Sequence, residues 1–222
     1  MYLGDLLKTH AETREIEVIP NGIYLPEHSP AQPKNRILMV SRIFERKGVD
    51  VLLRAYAELD TDWELVIAGD GPYLEAAKAL AGELGVTVHF LGHVDKAQLP
   101  ALYESARIFV LPSLRENFPV VLLEALAGGC AIITTKGSGC SEVVGEAGLL
   151  VEPESSEDLA NALAGLLTDE QQIETQRQKS LQRVREFSWE RIAARYEEHY
   201  RHLLRQPRQQ QGQKTHLTRP VD

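Results

Sequence analysis

The chain holds 222 residues, 43% of them hydrophobic and 25% charged, enough for one large α/β domain, or at most two small ones, of ordinary globular composition. Its formal net charge of -8 excludes a surface-wide attraction for nucleic acid or anionic membrane, so an anionic ligand has to be held by a local cluster of donors. No apolar run approaches the roughly 18 residues needed to span a bilayer, the N-terminal MYLGDLLKTHAETREIE lacks the basic-then-apolar pattern of a secretion signal, and Cys130 and Cys140 read as reduced packing residues, so the cytoplasm is the expected compartment.

The polar opening stretch leads into Val18-Ile19-Pro20-Asn21-Gly22, the end of a short strand and a turn. Pro26, Pro30 and Pro33 mark the segment after it as a linker. Strand-like runs then come at 37–41, 63–68, 86–91, 108–111, 131–135 and 149–151. Several are continuous and rich in β-branched residues, as strands covered on both faces are. Between them Val49, Leu52, Leu53 and Tyr56 recur at helical spacing, a stripe that faces a sheet. Ser155-Ser156-Glu157-Asp158 has the spacing of a capping box and opens a helix carrying Leu159, Ala162, Leu163 and Leu166. Two more helices are expected at about 169–185 and 188–204, the second with Trp189, Ile192, Ala193, Tyr196 and Tyr200 on one face. Strands alternating with helices predict a Rossmann-like, doubly wound, six-stranded parallel sheet over residues 35–204. The glutamine-rich, aperiodic stretch 205–222 reads as a disordered tail.

Such a sheet takes its ligand beyond the carboxyl ends of its strands, so the residues just after each strand are informative. Ser41-Arg42-Ile43-Phe44-Glu45-Arg46-Lys47-Gly48 follows the first. It is neither G-x-G-x-x-G nor G-x-x-x-x-G-K-[ST], which argues against a nicotinamide or flavin dinucleotide and against a P-loop. Arg42 offers a planar fork to phosphate oxygens and Lys47 a point charge; the bland alternative is two solvated cations beside Glu45. Ala68-Gly69-Asp70-Gly71-Pro72, after the second strand, lets backbone approach a ligand closely or simply makes a tight turn. In Gly92-His93-Val94, after the third, His93 fits a surface histidine better than a contact to a base.

The fourth crossover says most. Leu111-Pro112-Ser113-Leu114-Arg115-Glu116-Asn117-Phe118-Pro119 leads into VVLLEALAGG at 120–129. Pro119 suits the first helical position. The helix after it is apolar on nearly every side, hence expected to be buried all round, with Glu124 its single charge. A buried carboxylate without a partner is costly, so Glu124 needs a structural Arg, a backbone group or a ligand. Glu116 lies on the preceding loop, so the two carboxylates straddle a helix N-terminus whose free N–H groups and positive dipole end attract phosphate. Two carboxylates for sugar hydroxyls, a helix end for a diphosphate and two nearby cations compose a site for a nucleoside-diphosphate sugar. The glycine-rich loop 136–142, after the fifth strand, would shape the sugar pocket.

At these residues the chain resembles the C-terminal, nucleotide-sugar-binding domain of retaining GT-B glycosyltransferases, and within them glycosyltransferase family 4, the glycosyl transferases group 1. The matching pieces are IPNG at 19–22, SRIFERKG at 41–48, AGDGP at 68–72, FLGHV at 90–94, VLPSLRENFPVVLLEALAGG at 110–129, GSGCSEVV at 137–144 and GLLVEP at 148–153. The resemblance covers about residues 16–200, and the two glutamates with seven residues between them are its most specific feature. Cys130-Ala131 departs from the usual proline and valine, a change of packing.

The resemblance implies roles by position. Arg42 and Lys47 would hold the donor diphosphate and stabilise the leaving group without a metal or other cofactor. Glu116 would bind donor-sugar hydroxyls beside Asn117, Phe118 and Pro119. Val120 and Val121 would offer N–H groups to phosphate, Glu124 would bind the ribose, Val94 would lie near the base, and Gly71 would belong to the donor-binding wall. Residues 1–34 would be the remnant of an interdomain segment and linker, with the acceptor-binding domain missing or supplied by a partner subunit. The C-terminal helix would then expose part of its aromatic face, and any peripheral membrane contact would be made through the acceptor side. The implied function is retaining transfer from a UDP- or GDP-sugar, poor in the chain alone. A non-catalytic nucleotide-sugar-binding subunit and a GT-B sugar epimerase are the alternatives; the glutamate spacing favours transfer over the epimerase, and a dehydrogenase is the least favoured.

Overall fold

The computed structural model describes residues 17–26, 33–137 and 139–205. Residues 1–16, the linker residues 27–32, Ser138 and residues 206–222, where a disordered tail was expected, lie outside them. The six strands predicted for the sheet are present, β1 (Lys34–Val40), β2 (Glu64–Ala68), β3 (Val88–Gly92), β4 (Ala106–Leu111), β5 (Ala131–Thr135) and β6 (Gly148–Val151). The short strand expected to end at Val18-Ile19 does not form; only Ile23 nearby makes an isolated bridge, to Ser188. The six pair in parallel, in the order β3-β2-β1-β4-β5-β6. The helices are α1 (Val49–Ala57), α2 (Leu74–Glu83), α3 (Leu99–Glu104), α4 (Val120–Ala127), α5 (Gly139–Val144), α6 (Ser156–Thr168), α7 (Glu170–Arg183) and α8 (Trp189–Arg205).

Side chains of a strand alternate between faces, and the central strands are apolar at both parities. Ile37, Met39, Leu65, Ile67, Ile108, Val110 and Ile133 pack on one face with Leu52 and Leu53 of α1, Ala77 of α2 and Leu163 of α6. Leu38, Val40, Val66, Phe109, Leu111 and Ile132 pack on the other with Tyr103 of α3, Leu122 and Leu126 of α4 and Val143 of α5. One continuous apolar run in β1 thus supplies two cores, which is why the strand lacks any polar-out alternation.

Two helix starts differ from the pattern read in the sequence. The Ser155 hydroxyl caps α6 by accepting from the Asp158 N–H at 3.1 Å, but the Asp158 carboxylate accepts from the Glu152 N–H, not from the cap residue. Half of the capping box is therefore spent on fastening β6 to its helix. Pro119 is the residue before α4 (φ −77°, ψ 107°), so the first helical residue is Val120.

The chain's early and late segments meet. The Ile23 N–H donates to Phe187 O at 2.8 Å and the Trp189 N–H to Ile23 O at 3.1 Å. Gly22 lies beneath Trp189, where a Cβ would come within 2.6 Å of the indole ring. On α8 Ile192 is fully buried while Trp189, Tyr196 and Tyr200 are 37%, 40% and 59% exposed, so the aromatic face is open in part, as expected.

Candidate functional site

β1 has β2 on one side and β4 on the other. The crossovers leave it in opposite directions there, and in such a sheet a ligand is expected beyond the carboxyl ends of the two diverging strands, here β1 and β4. Both halves of the expected site sit on those two loops, Arg42 and Lys47 after β1, Glu116 to Pro119 after β4.

The loops are fastened to one another before any ligand arrives. The Leu114 N–H donates to Arg46 O at 2.9 Å. Gly48 ends the short helical turn over Glu45–Lys47 with φ 71°, and a Cβ there would lie 2.2 Å from Pro112 O. Both the backbone angle and the close approach require glycine. On the far side the Gly139 N–H donates to Glu116 O at 2.9 Å, and a Cβ at Gly139 would sit 1.7 Å from Asn117 O. The Thr135 hydroxyl donates to Ser113 O at 2.6 Å. The β4 loop is thus wedged between its neighbours, with little freedom to reposition Glu116.

Lys47 and Glu116 meet directly. The Lys47 ammonium donates to the Glu116 carboxylate, with side chains only 14% and 12% exposed. For Lys47 the alternative of a solvated cation beside Glu45 is therefore overturned. An ammonium has three donors and a carboxylate about four acceptor positions, so each partner keeps capacity for a ligand. Arg42 is exposed, its guanidinium carbon 5.1 Å from the centroid of the Phe44 ring, with Arg46 at 5.9 Å from the same ring. Cation–π contact of this kind limits how a planar donor fork can turn. Among the described residues no carboxylate pairs with Arg42.

α4 is not buried all round. Leu122, Leu123 and Ala125–Ala127 are buried, but Val120 is 42% exposed. The first turn opens to solvent, and no side chain caps it. Among the described residues the N–H groups of Val120 and Val121 have no acceptor, as at the start of any uncapped helix. Beneath them Phe118 meets Phe187 edge-on at 6.0 Å, and Phe118, Val121 and Val94 all pack on the apolar cluster that covers this face of the sheet. Asn117 is exposed and Pro119 buried. Gly71 presses on the β1 loop, where a Cβ would come within 2.3 Å of Ile43 O. His93 is a surface residue, 3.8 Å from Asp95, both side chains 80% exposed.

Glu124 has a mate that is neither an Arg nor a backbone group. The Tyr103 hydroxyl donates to its carboxylate at 2.7 Å. Tyr103 is 1% exposed, and burial, with the adjacent Glu124 charge, pushes its pKa far above the ordinary tyrosine value, so it remains a donor. Both residues line a cavity of about 400 Å³ together with Tyr24, Lys96, Leu99 and Gly128. The structure therefore joins Lys47 to Glu116 on the two loops and sets Glu124, on α4, into a cavity wall. Neither Arg42 nor Glu124 contacts the Lys47–Glu116 pair or the other.

Residues 24–184 match the family model described as glycosyl transferases group 1. The chain belongs to that family. It is similar to a D-inositol 3-phosphate glycosyltransferase of Corynebacterium aurimucosum, 34% identical over 177 residues, 74% of this chain and 42% of that protein. It is also similar to a GDP-mannose-dependent alpha-(1-6)-phosphatidylinositol monomannoside mannosyltransferase of Mycolicibacterium smegmatis, 33% identical over 147 residues, 60% of this chain and 38% of that one. Its fold is similar to that of a sucrose-phosphate synthase from Thermosynechococcus elongatus, with a TM-score of 0.77 and 28% identity, covering 90% of this chain and 56% of that one. This family member thus spans about half or less of the length of the relatives it matches, and its expected Rossmann-like sheet is the one observed.

Proposed function

We propose that the chain is the donor half of a retaining glycosyltransferase, seating a UDP- or GDP-linked sugar in the crevice between the β1 and β4 loops. The acceptor is presented by a further domain or a partner subunit. The Lys47–Glu116 pair carries this reading, because it sets a cation and a hydroxyl acceptor side by side at the foot of α4. A sugar diphosphate asks for both within a few ångströms. The name of the GDP-mannose-dependent relative supports a nucleotide-linked donor.

In this reading the diphosphate lies against the Val120 and Val121 N–H groups, and Arg42 and Lys47 neutralise the charge that develops as it leaves, in place of a metal ion. Glu116 accepts from hydroxyls of the transferred sugar, and Asn117, Phe118 and Pro119 border it. The bond from the anomeric carbon to the phosphate oxygen breaks with its electron pair going to the diphosphate. The acceptor oxygen bonds on the same face, giving its proton to the departing diphosphate. Glu124 holds the ribose, Val94 borders the base, and Gly71 keeps the neighbouring loop close. Among the described residues no helix is long and apolar enough to cross a membrane, and any membrane contact belongs to the acceptor side.

Calorimetric titration of the purified chain with UDP- and GDP-sugars tests the reading. One of them should bind, and Lys47→Ala should weaken it at least tenfold, about 1.4 kcal/mol. Glu116→Gln should weaken the sugar nucleotide more than the bare diphosphate. An affinity indifferent to Lys47 would overturn the assignment.

A further inference from the structure

Building on the donor-binding reading, we propose that Tyr103 is a positioning residue, whose hydroxyl engages one oxygen of Glu124 so that the other is held toward the ribose hydroxyls of the bound nucleotide. The residue is held for this at three points, two on its side chain and one on its backbone. Its ring packs on Phe109 with centroids 5.6 Å apart. Its Cβ occupies the space a side chain at Gly128 would need, 2.7 Å from where that Cβ would stand. Its carbonyl accepts the Cys130 thiol at 3.3 Å.

The hydroxyl is the one polar atom of this buried side chain, and among the described residues Glu124 is its sole partner. Among them, too, no other group donates to the Glu124 carboxylate. A glutamate has three rotatable bonds, so a lone carboxylate on a cavity wall would sample many orientations; a single buried donor selects one and leaves an acceptor oxygen over. The cavity is lined mainly by apolar groups but carries the cation Lys96 and the exposed ring of Tyr24 as well, so it offers a base a flat surface and a phosphate or hydroxyl a polar partner.

A merely structural tyrosine would affect all nucleotides alike, so the test compares ligands. The full chain is titrated with UDP and GDP, and with their 2′,3′-dideoxy counterparts. Tyr103→Phe should weaken the ribonucleoside diphosphate five- to tenfold, leave the dideoxy form within twofold, and add no further loss when combined with Glu124→Gln. Equal losses on both ligands, additive losses, or no loss would overturn the proposal. Should Tyr103→Phe not fold, the wild-type chain with tyrosine labelled at 13Cζ decides. The Tyr103 resonance should move with UDP or GDP and stay in place with the dideoxy form, and the same movement with both would refute the proposal. A wild-type chain that bound neither diphosphate would instead refute the donor-binding reading, and this inference with it.

Discussion

Cys130 has no exposed surface, and burial pushes its thiol up to about 12. The folded chain should therefore resist thiol reagents at this residue at pH 8 and react once unfolded; mass spectrometry of labelled peptides checks this, and native labelling of Cys130 would contradict it. Cys130 and Tyr103 both have pKa values raised in the folded state, so their contribution to stability is present in full below about pH 9 and falls as pH rises. Denaturant unfolding should show the loss beginning near pH 9 from the thiol and near pH 10 from the phenol, roughly 1 kcal/mol per pH unit per group. Tyr103→Phe should flatten the second part. Arg42, Lys47 and Glu116 stand out in the sequence because they follow strands of a doubly wound sheet, where ligands bind, and Glu124 because it is the one charge in an apolar helix. Tyr103 does not. It lies 21 positions from its partner, and nothing in a helical tyrosine's spacing tells which carboxylate a neighbouring helix will bring to it, although a charge buried in an apolar helix announces that some donor exists.

Among the elements, the loop before α4 is held by glycines whose roles differ. Gly139→Ala should push against Asn117 O, displace the loop that carries Glu116, and lower donor affinity at least tenfold, with a modest drop in melting temperature. Wild-type affinity for a sugar nucleotide in that variant would show that the loop's position is unimportant. Removing the α6 cap by Ser155→Ala should cost about 1 kcal/mol in chemical denaturation without altering donor affinity. The six strands and the long helices were readable because their apolar runs and stripes have the periods of their structures. The start of α4 was displaced by one residue, since Pro119 satisfies the helix entry from the capping position as well as from the first turn. Its burial also differs from the expectation, as Val120 at its first turn is 42% exposed, which apolarity alone does not foretell.

At the scale of the whole molecule, the sheet order makes the site. Periodicity identified six strands, but not which would be neighbours; the right-handedness of parallel crossovers restricts the choice, and the meeting of β1 with β4 brings Lys47 to Glu116 across 69 positions of chain. The same strand pair anchors both cores, so Leu38→Ala, which empties a fully buried position in β1, should destabilise the entire domain by about 2–5 kcal/mol without selective loss of ligand contacts. The central claim is that a diphosphate seats on the start of α4 between the β1 and β4 loops, and backbone amide NMR of the labelled chain addresses it most directly. On titration with UDP or GDP, the largest shifts should fall at Val120, Val121, Asn117 and Gly48. Perturbations confined to other loops, or spread evenly over the surface, would contradict the account.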